Sequence, residues 1–228
     1  MGIIGGSDGP TAVYLGVLST DSMSLGAIVL VLGLLGVAAY FIGNISPSTI
    51  MARRQGIDIK KEGSGNAGTT NALRVMGKKA GAITCVIDIL KGVVAGLIGM
   101  LIAGTPGAAL CGLCVFLGHV WPILYRFQGG KGVATAFGGA LAANPLVALI
   151  AIAIVAIFVF TTKRMSVGSI IGAACFPVIC AFLEPGYFVT ALIIAIIIII
   201  KHRANIVRLI HGEEPIMGIF EKKAEEDK

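Results

Sequence analysis

Apolar runs long enough to cross a membrane recur along this chain and set the first limit on its fold. Ser24 to Gly43 is one such run and carries no charged side chain, and about 20 helical residues span a bilayer core of about 30 Å. Gly132 to Ala143 would measure only about 18 Å as a helix, so we expect it to be a short or shielded segment. The other runs are Ala80–Ala103, Pro106–Val120, Pro145–Thr161, Ser166–Leu183 and Tyr187–Ile200. The sequence therefore predicts an all-α, polytopic integral membrane bundle of about seven transmembrane helices.

Composition excludes the soluble classes. Only 13% of the residues are charged and 56% are hydrophobic, whereas a soluble domain carries about 25% charged residues. A chain this apolar is not intrinsically disordered either. The net charge of +6 is spread in short clusters between the apolar runs, which is typical of membrane topology. We therefore expect contact with lipid head groups or phosphorylated substrates, and no nucleic acid.

Basic and non-basic loops alternate along the chain. The basic segments are 53–79, 126–131, 163–164 and 201–208. The loops between them, near residues 104, 144 and 185, are uncharged or acidic. Because basic loops stay in the cytoplasm, this order predicts an outside N-terminus and a cytoplasmic C-terminus. The predicted divisions are an extracytoplasmic extension at 1–23, a transmembrane domain at 24–210 and a charged cytoplasmic tail at 211–228.

A first polar segment precedes the second apolar run. Its glycines and side-chain donors are Gly63, Gly65, Gly68, Ser64, Asn66 and Thr70. Glycines let a backbone expose its amides, and a following helix would point its positive end at an anion. Arg74 would add a fork of donors suited to phosphate. The alternative is a flexible interhelical loop, while a dinucleotide-binding fold lacks the strand it needs.

A second glycine-rich segment opens the short helix. It consists of Gly129, Gly130, Lys131 and Gly132. Loop amides, the helix dipole and the Lys131 ammonium would converge there on one anion. His119, just upstream, is a candidate proton-transfer group or a hydrogen-bonding scaffold, and the scaffold role is the commoner one.

Two further polar groups lie at membrane ends or at membrane depth. His202 and Asn205 stand three residues apart after the last run. A basic stop-transfer cluster would explain the adjacent Lys201 and Arg203, but it does not explain His202 and Asn205. Asp88 and Lys91 are also three apart, inside an apolar run. Ionised residues at that depth are costly, so we expect either a mutual ion pair that supports the structure or a lysine that reaches toward the anion site.

Metal and redox chemistry find no support in the residue spacing. No carboxylate or histidine cluster has ligand spacing, and the C-x-x-C of Cys111 and Cys114 has no further ligands nearby. All five cysteines fall inside apolar runs, where small residues serve helix packing. We expect no metal and no cofactor.

Several motifs together resemble the acyl-phosphate-dependent glycerol-3-phosphate acyltransferases of bacterial membranes. They extend over about residues 25–218, in order. They are DIKKEGSGNAGTTNALRVMG at 58–77, D-x-x-K-G at 88–92, G-H-x-x-P at 118–122, FQGGKGVAT at 127–135, K-H-R-x-N-I at 201–206 and G-x-E-P at 212–215. The resemblance implies a seven-span fold in the bacterial inner membrane, with the active site near the cytoplasmic face. Gly2 to Thr11 instead resembles part of the membrane β subunit of sodium-pumping decarboxylases, and we expect an inert extension there.

The resemblance also implies a reaction. An acyl phosphate would pass its fatty acyl group to the 1-hydroxyl of glycerol 3-phosphate, giving 1-acylglycerol 3-phosphate and phosphate, the first acylation step of phospholipid synthesis. The residues it places in the site are Ser64, Thr70, Arg74, Lys131, His202 and Asn205. An apolar groove between helices would hold the acyl chain, and the enzyme that makes acyl phosphate is a candidate partner.

The general base is not identified by these motifs. Acyl transfer needs a proton acceptor, yet the chain has no H-x-x-x-x-D motif, and the family is similar in lacking a protein base. A phosphate oxygen of a substrate is the remaining candidate. The alternative function is a transporter or channel for phosphorylated solutes, although no internal duplication of the kind such folds use is visible.

Overall fold

The computed structural model of this protein describes residues 24–217 and 220, and every regular element within them is helical. The α-helices are α1 (Leu25–Gly43), α2 (Pro47–Arg54), α3 (Thr69–Val120), α4 (Val133–Ala143), α5 (Pro145–Thr162), α6 (Met165–Leu183), α7 (Phe188–Lys201) and α8 (Arg203–Ile210). Short 3-10 turns lie at Ile123–Tyr125 and Pro185–Tyr187. The predicted extension at 1–23 and the end of the predicted tail lie outside the described residues.

Helix α3 is a long element with two backbone breaks. Its backbone leaves helical geometry at Gly77, with φ at 84°, and again at Ala103 and Gly104, where the Gly104 φ is 60°. Glycine adopts such positive φ values without steric cost. Beyond the second break the chain folds back on itself. The close approach of Gly99 to Gly107 shows this, since a Cβ on Gly99 would lie 2.2 Å from the Gly107 carbonyl oxygen. The apolar runs predicted on either side of Gly104 are thus neighbouring arms of a hairpin.

Most other helix ends agree with the predicted apolar runs to within one residue, as in α1, α4, α5, α6 and α7. The reason is local, since an apolar stretch in lipid must satisfy its own backbone hydrogen bonds as a helix. Within the described residues, four stretches are long and apolar enough to cross a membrane: Leu25–Arg54, Thr69–Tyr125, Pro145–Thr162 and Met165–Leu183. Helices α7 and α8, bent by 55°, make a fifth if taken as one span. Seven spans and the orientation of the termini stay predictions.

Small residues bring α1 and α4 close to α3. A Cβ on Gly92 of α3 would lie 2.3 Å from the Thr135 carbonyl oxygen of α4, and one on Gly43 of α1 would lie 2.2 Å from the Val115 carbonyl oxygen. Such close backbone approach is the usual way in which membrane helices associate. Many large apolar side chains point outward, as with Phe182 at 82% exposure, which suits a lipid environment. The short helix α4 is consequently held inside the bundle with its N-terminus beside the end of α3.

Candidate functional site

The first glycine-rich loop is organised by one buried amide. Asn71 is 1% exposed, and its Oδ1 accepts a hydrogen bond from the Ser64 amide at 2.8 Å. Its Nδ2 donates to the carbonyl oxygens of Ile59 at 3.3 Å and Glu62 at 3.0 Å. Asn71 was not among the residues predicted from the sequence, although it stands in the same motif. It holds the loop in one shape while the Ser64 side chain stays exposed.

The predicted helix after this loop begins at Thr69, with Gly68 as its N-cap. No side chain caps this end. The first amides of a helix have no partner within it and carry the positive end of its dipole. Thr70 lies half-buried in the first turn, and Arg74 is exposed one turn further on. This end of α3 therefore offers backbone amides, a hydroxyl and a guanidinium to an anion.

The second glycine-rich loop is shaped by close contacts. A Cβ on Gly130 would lie 2.2 Å from His119 Nε2, and one on Gly132, where φ is 83°, would lie 2.2 Å from the Phe116 ring. The amides of Gly129 and Gly130 donate to the carbonyl oxygens of Val120 at 3.2 Å and His119 at 3.1 Å. Those two amides are thus engaged within the protein, and the Lys131 side chain and the start of α4 are the parts of this loop available to a ligand.

Lys60 joins the two loops. Its Nζ donates to the Gly129 carbonyl oxygen at 3.1 Å, and a Cβ on Gly130 would approach the Ala67 carbonyl oxygen to 3.1 Å. Burial and the nearby Lys201 charge lower the pKa of Lys60 to about 8. Lys60 was not predicted as a site residue, because a lysine beside Lys61 at the head of a basic loop has no distinguishing sequence signal.

Lys131 and Asn205, 74 positions apart, lie in direct contact. The Lys131 Nζ donates to Asn205 Oδ1. Asn205 Nδ2 in turn donates to Glu214 Oε1 at 2.6 Å, and Arg208 Nε donates to Glu214 Oε2 at 2.8 Å. Glu214 was not among the predicted site residues, although the G-x-E-P motif contains it.

His202 lies at the bend between α7 and α8 rather than within a helix. His202 is the N-cap of α8, and Asn205 lies in the first turn of that helix. Both side chains are buried. His202 Nδ1 pairs with the Ile198 carbonyl oxygen at 2.8 Å, so Nδ1 carries the proton and Nε2 of the neutral ring is left as an acceptor.

Positive charge from three helices surrounds Lys131. Burial lowers the pKa of Lys131 to about 8, as do the charges of Arg208, Lys201 and Arg74, while Glu214 raises it. Burial opposes ionisation of Glu214 as well, but hydrogen bonds from Ser166, Asn205 and Arg208 outweigh it and lower the pKa of that carboxyl. Lys131, Arg74, Lys201 and Arg208 thus bring four positive charges to this site, and Glu214 contributes one negative charge. Such a surplus favours binding of an anion with more than one negative charge.

A second charged cluster lies at membrane depth. Lys91 Nζ is 2.7 Å from Asp88 Oδ1 and 2.7 Å from His119 Nδ1. It also donates to the carbonyl oxygens of Gly43 at 3.1 Å and Ile45 at 2.8 Å, at the end of α1. The mutual ion pair expected from the sequence is present. The His119 ring contacts Lys91 through Nδ1, and its Nε2 lies against Gly130 of the second glycine-rich loop. No described contact of Lys91 reaches Lys131.

An apolar cleft lies beside this site, between α4, α5 and α6. It is a shallow cleft that opens to the surroundings rather than an enclosed cavity. Its walls include Val133, Ala136, Ala140, Val155, Gly172 and Phe176. Because Val133 is the first residue of α4, the cleft begins within two positions of Lys131.

The fold and the site define a multi-pass membrane protein with a cationic site beside an apolar cleft. The sequence model described as "Glycerol-3-phosphate acyltransferase" matches residues 33–212 of this chain. The glycerol-3-phosphate acyltransferase of Clostridioides difficile (strain 630) is 44% identical over 193 residues, which cover 81% of this chain and 95% of that protein. The protein of the same description from Thermoanaerobacter sp. (strain X514) is 43% identical over 188 residues, with coverage of 81% and 95%.

Solved structures agree. A crystal structure of PlsY (YgiH), an integral membrane glycerol 3-phosphate acyltransferase in its glycerol 3-phosphate form, superposes with a TM-score of 0.79. The two sequences are 34% identical, and the match covers 84% of this chain and 98% of that one. The lysophosphatidic acid form gives a TM-score of 0.73 at 35% identity, with coverage of 82% and 95%. The chain belongs to the glycerol-3-phosphate acyltransferase family. It is an acyltransferase of the membrane, which favours the enzyme over the transporter among the two functions considered from the sequence.

Proposed function

We propose that this protein transfers a fatty acyl group from acyl phosphate to the 1-hydroxyl of glycerol 3-phosphate and releases lysophosphatidic acid and phosphate. The observation that carries the proposal is the surplus of positive charge around Lys131, next to an apolar cleft. An acyl phosphate presents a phosphate and an alkyl chain together, and these two features complement the two parts of the site. In a thioester donor the leaving group is sulfur, so no phosphate would lie beside the reacting carbonyl.

Each of the two glycine-rich loops supplies groups that bind phosphate. The uncapped start of α3, with Ser64, Thr70 and Arg74, offers donors to one phosphate. Lys131, held against Asn205, binds the phosphate of glycerol 3-phosphate, and its charge also stabilises the phosphate that departs from the donor, which lowers the barrier for acyl transfer. The cleft between α4 and α6 takes the alkyl chain.

The proton of the attacking hydroxyl goes to a phosphate oxygen of a substrate. Glu214 is a poor base because its carboxylate already accepts hydrogen bonds from Asn205 and Arg208, and Asp88 is 2% exposed at membrane depth. Because His202 Nδ1 donates to Ile198, its Nε2 can accept a hydrogen bond from the hydroxyl and orient it. Transfer to phosphate needs no further protein group, since the donor is already an activated mixed anhydride.

Purified protein in detergent tests the donor directly. Mixed with acyl phosphate and glycerol 3-phosphate, it should yield lysophosphatidic acid and inorganic phosphate in equal amounts, by chromatography and phosphate assay. Acyl-CoA and acyl carrier protein thioesters should give no product when acyl phosphate is absent. Robust transfer from pure acyl-CoA would overturn the proposal.

We further propose seven membrane spans, an outside N-terminus and an active site on the cytoplasmic side of the bacterial inner membrane. The alternating basic loops support this orientation. In a variant without the five native cysteines, Thr105→Cys should react with an impermeant thiol reagent added outside intact cells, whereas Ser64→Cys should react only after lysis. Labelling of position 64 in intact cells would contradict the orientation.

A further inference from the structure

Glu214 follows α8 and packs back onto it. Gly212, with φ at 73°, turns the chain, and the Glu213 amide donates to the Arg208 carbonyl oxygen at 2.7 Å. Glu214 is then 7% exposed, and its own carbonyl oxygen accepts a hydrogen bond from Arg164 Nε at 2.9 Å. A segment that the sequence assigned to a charged tail thus delivers a buried carboxylate to the site.

The carboxylate determines which way the Asn205 amide faces. An asparagine side chain has two N–H donors and one carbonyl acceptor. Glu214 Oε1 accepts from Asn205 Nδ2 at 2.6 Å, so the Asn205 Oδ1 must point the other way, and there it accepts from Lys131. A flipped amide would set its N–H groups against the ammonium of Lys131 and its carbonyl oxygen against the carboxylate of Glu214.

Charge supplies a second link between Glu214 and Lys131. The ionised groups that face Lys131 are Arg74 from α3, Lys201 from α7, Arg208 from α8 and Glu214. The neutral groups beside it are Asn205 and His202. The three cations favour loss of the Lys131 proton, and Glu214 is the group that opposes them.

We propose that Glu214 is a positioning residue for the acyl-transfer site: it orients Asn205 toward Lys131 and supplies the negative charge that faces the Lys131 ammonium. This inference rests on the proposed role of Lys131 in phosphate binding. Glu214 touches no substrate in this scheme and acts through the two residues it holds.

The test compares Glu214→Gln with Glu213→Gln, its exposed neighbour. Binding of glycerol 3-phosphate to detergent-purified protein is measured by calorimetry from pH 6.5 to 8.5, and folding is checked by gel filtration. Loss of the carboxylate lowers the pKa of Lys131 from about 8, so the ammonium is lost at a lower pH. A fall of about one pKa unit would reduce the affinity of Glu214→Gln relative to wild type by about fivefold to tenfold more at pH 8.5 than at pH 6.5. Glu213→Gln should follow the wild-type curve.

A second variant, expected to shift the pKa of Lys131 in the opposite direction, keeps the test decisive if Glu214→Gln does not fold. Arg208→Gln removes a cation that lowers the pKa of Lys131, and its alkaline loss of affinity should therefore move to higher pH. A purely structural contact would not shift the two variants in opposite directions. The inference is overturned if a folded Glu214→Gln keeps the wild-type pH dependence. If Glu214→Gln does not fold, a wild-type pH dependence in Arg208→Gln overturns it instead. Because binding is measured without acyl phosphate, a failure of the proposed donor does not affect the result.

Discussion

The two charged clusters of this protein differ in their charge balance. At membrane depth, Asp88 and Lys91 pair with each other at 2.7 Å, and both are less than 5% exposed. The carbonyl oxygens of Gly43 and Ile45 and the His119 ring surround the same ammonium. Around Lys131, by contrast, the charges of Arg74, Lys201 and Arg208 add to its own, and Glu214 is the carboxylate that offsets them.

The difference separates a structural cluster from a ligand site. A balanced buried pair satisfies itself, and removing one partner strands a charge. An unbalanced cluster carries mutual repulsion, which an incoming anion relieves. His119 connects the two, because its ring contacts Lys91 on one side and Gly130 on the other. The first cluster should therefore control stability, and the second should control turnover.

The largest effect should follow from Lys91→Met. It leaves Asp88 buried without its partner, and breaking a buried pair costs about 3–5 kcal/mol. We expect the midpoint of thermal unfolding in detergent to fall by roughly 10 °C. The double variant Asp88→Asn/Lys91→Met removes the stranded charge and should regain much of that loss. A single variant as stable as wild type would show that the pair is not structural.

Lys131→Met should do the opposite and leave stability intact. A charge-assisted hydrogen bond contributes about 1.5–3 kcal/mol, so its loss should lower kcat/KM for acyl transfer about tenfold to a hundredfold. Lys163→Met is the matched control, because Lys163 is exposed and has no glycine loop beside it. Equal activities of the two variants at equal folded amounts would remove Lys131 from the site.

A smaller effect separates two adjacent lysines. Lys60 bonds the Gly129 carbonyl oxygen, whereas the Lys61 side chain is 82% exposed and only approaches Asp58 at 3.9 Å. Lys60→Met should raise the KM for glycerol 3-phosphate about threefold to tenfold, since one partly exposed hydrogen bond between the loops is lost. Lys61→Met should leave it within twofold of wild type. Kinetics on the two purified variants at pH 7 decide the point, and equal values would place Lys60 outside the phosphate region.

The mildest perturbation is a change of pH. Lys131 and Lys60 both have a pKa of about 8, so their ammonium forms and the phosphate affinity they provide are present below that pH and lost above it. The KM for glycerol 3-phosphate should rise several-fold between pH 7 and 9 in the wild type. The rise should be smaller in Lys131→Met, where one of the two titrating groups is gone. A KM independent of pH in the wild type would contradict the role of both lysines.

Sequence alone determined most of the helices and the two glycine-rich loops of this protein. The ends of α5 and α6 could be predicted because an apolar stretch in lipid must close its hydrogen bonds within itself. The shortness of α4 followed from residue count, and Lys131 stood out because glycines and a helix start surround it. Each of these depends on residues close together in the chain.

Only the tertiary structure decided which of these residues meet. Lys131 touches Asn205 across 74 positions, and Glu214 becomes buried because the chain turns at Gly212 and returns to α8. The close approach of α4 to α3 is likewise set by packing, since glycines let helices approach at points that periodicity does not mark. Hydrogen-bond partners and charge balance depend on distances through space, and no local pattern in the sequence encodes them.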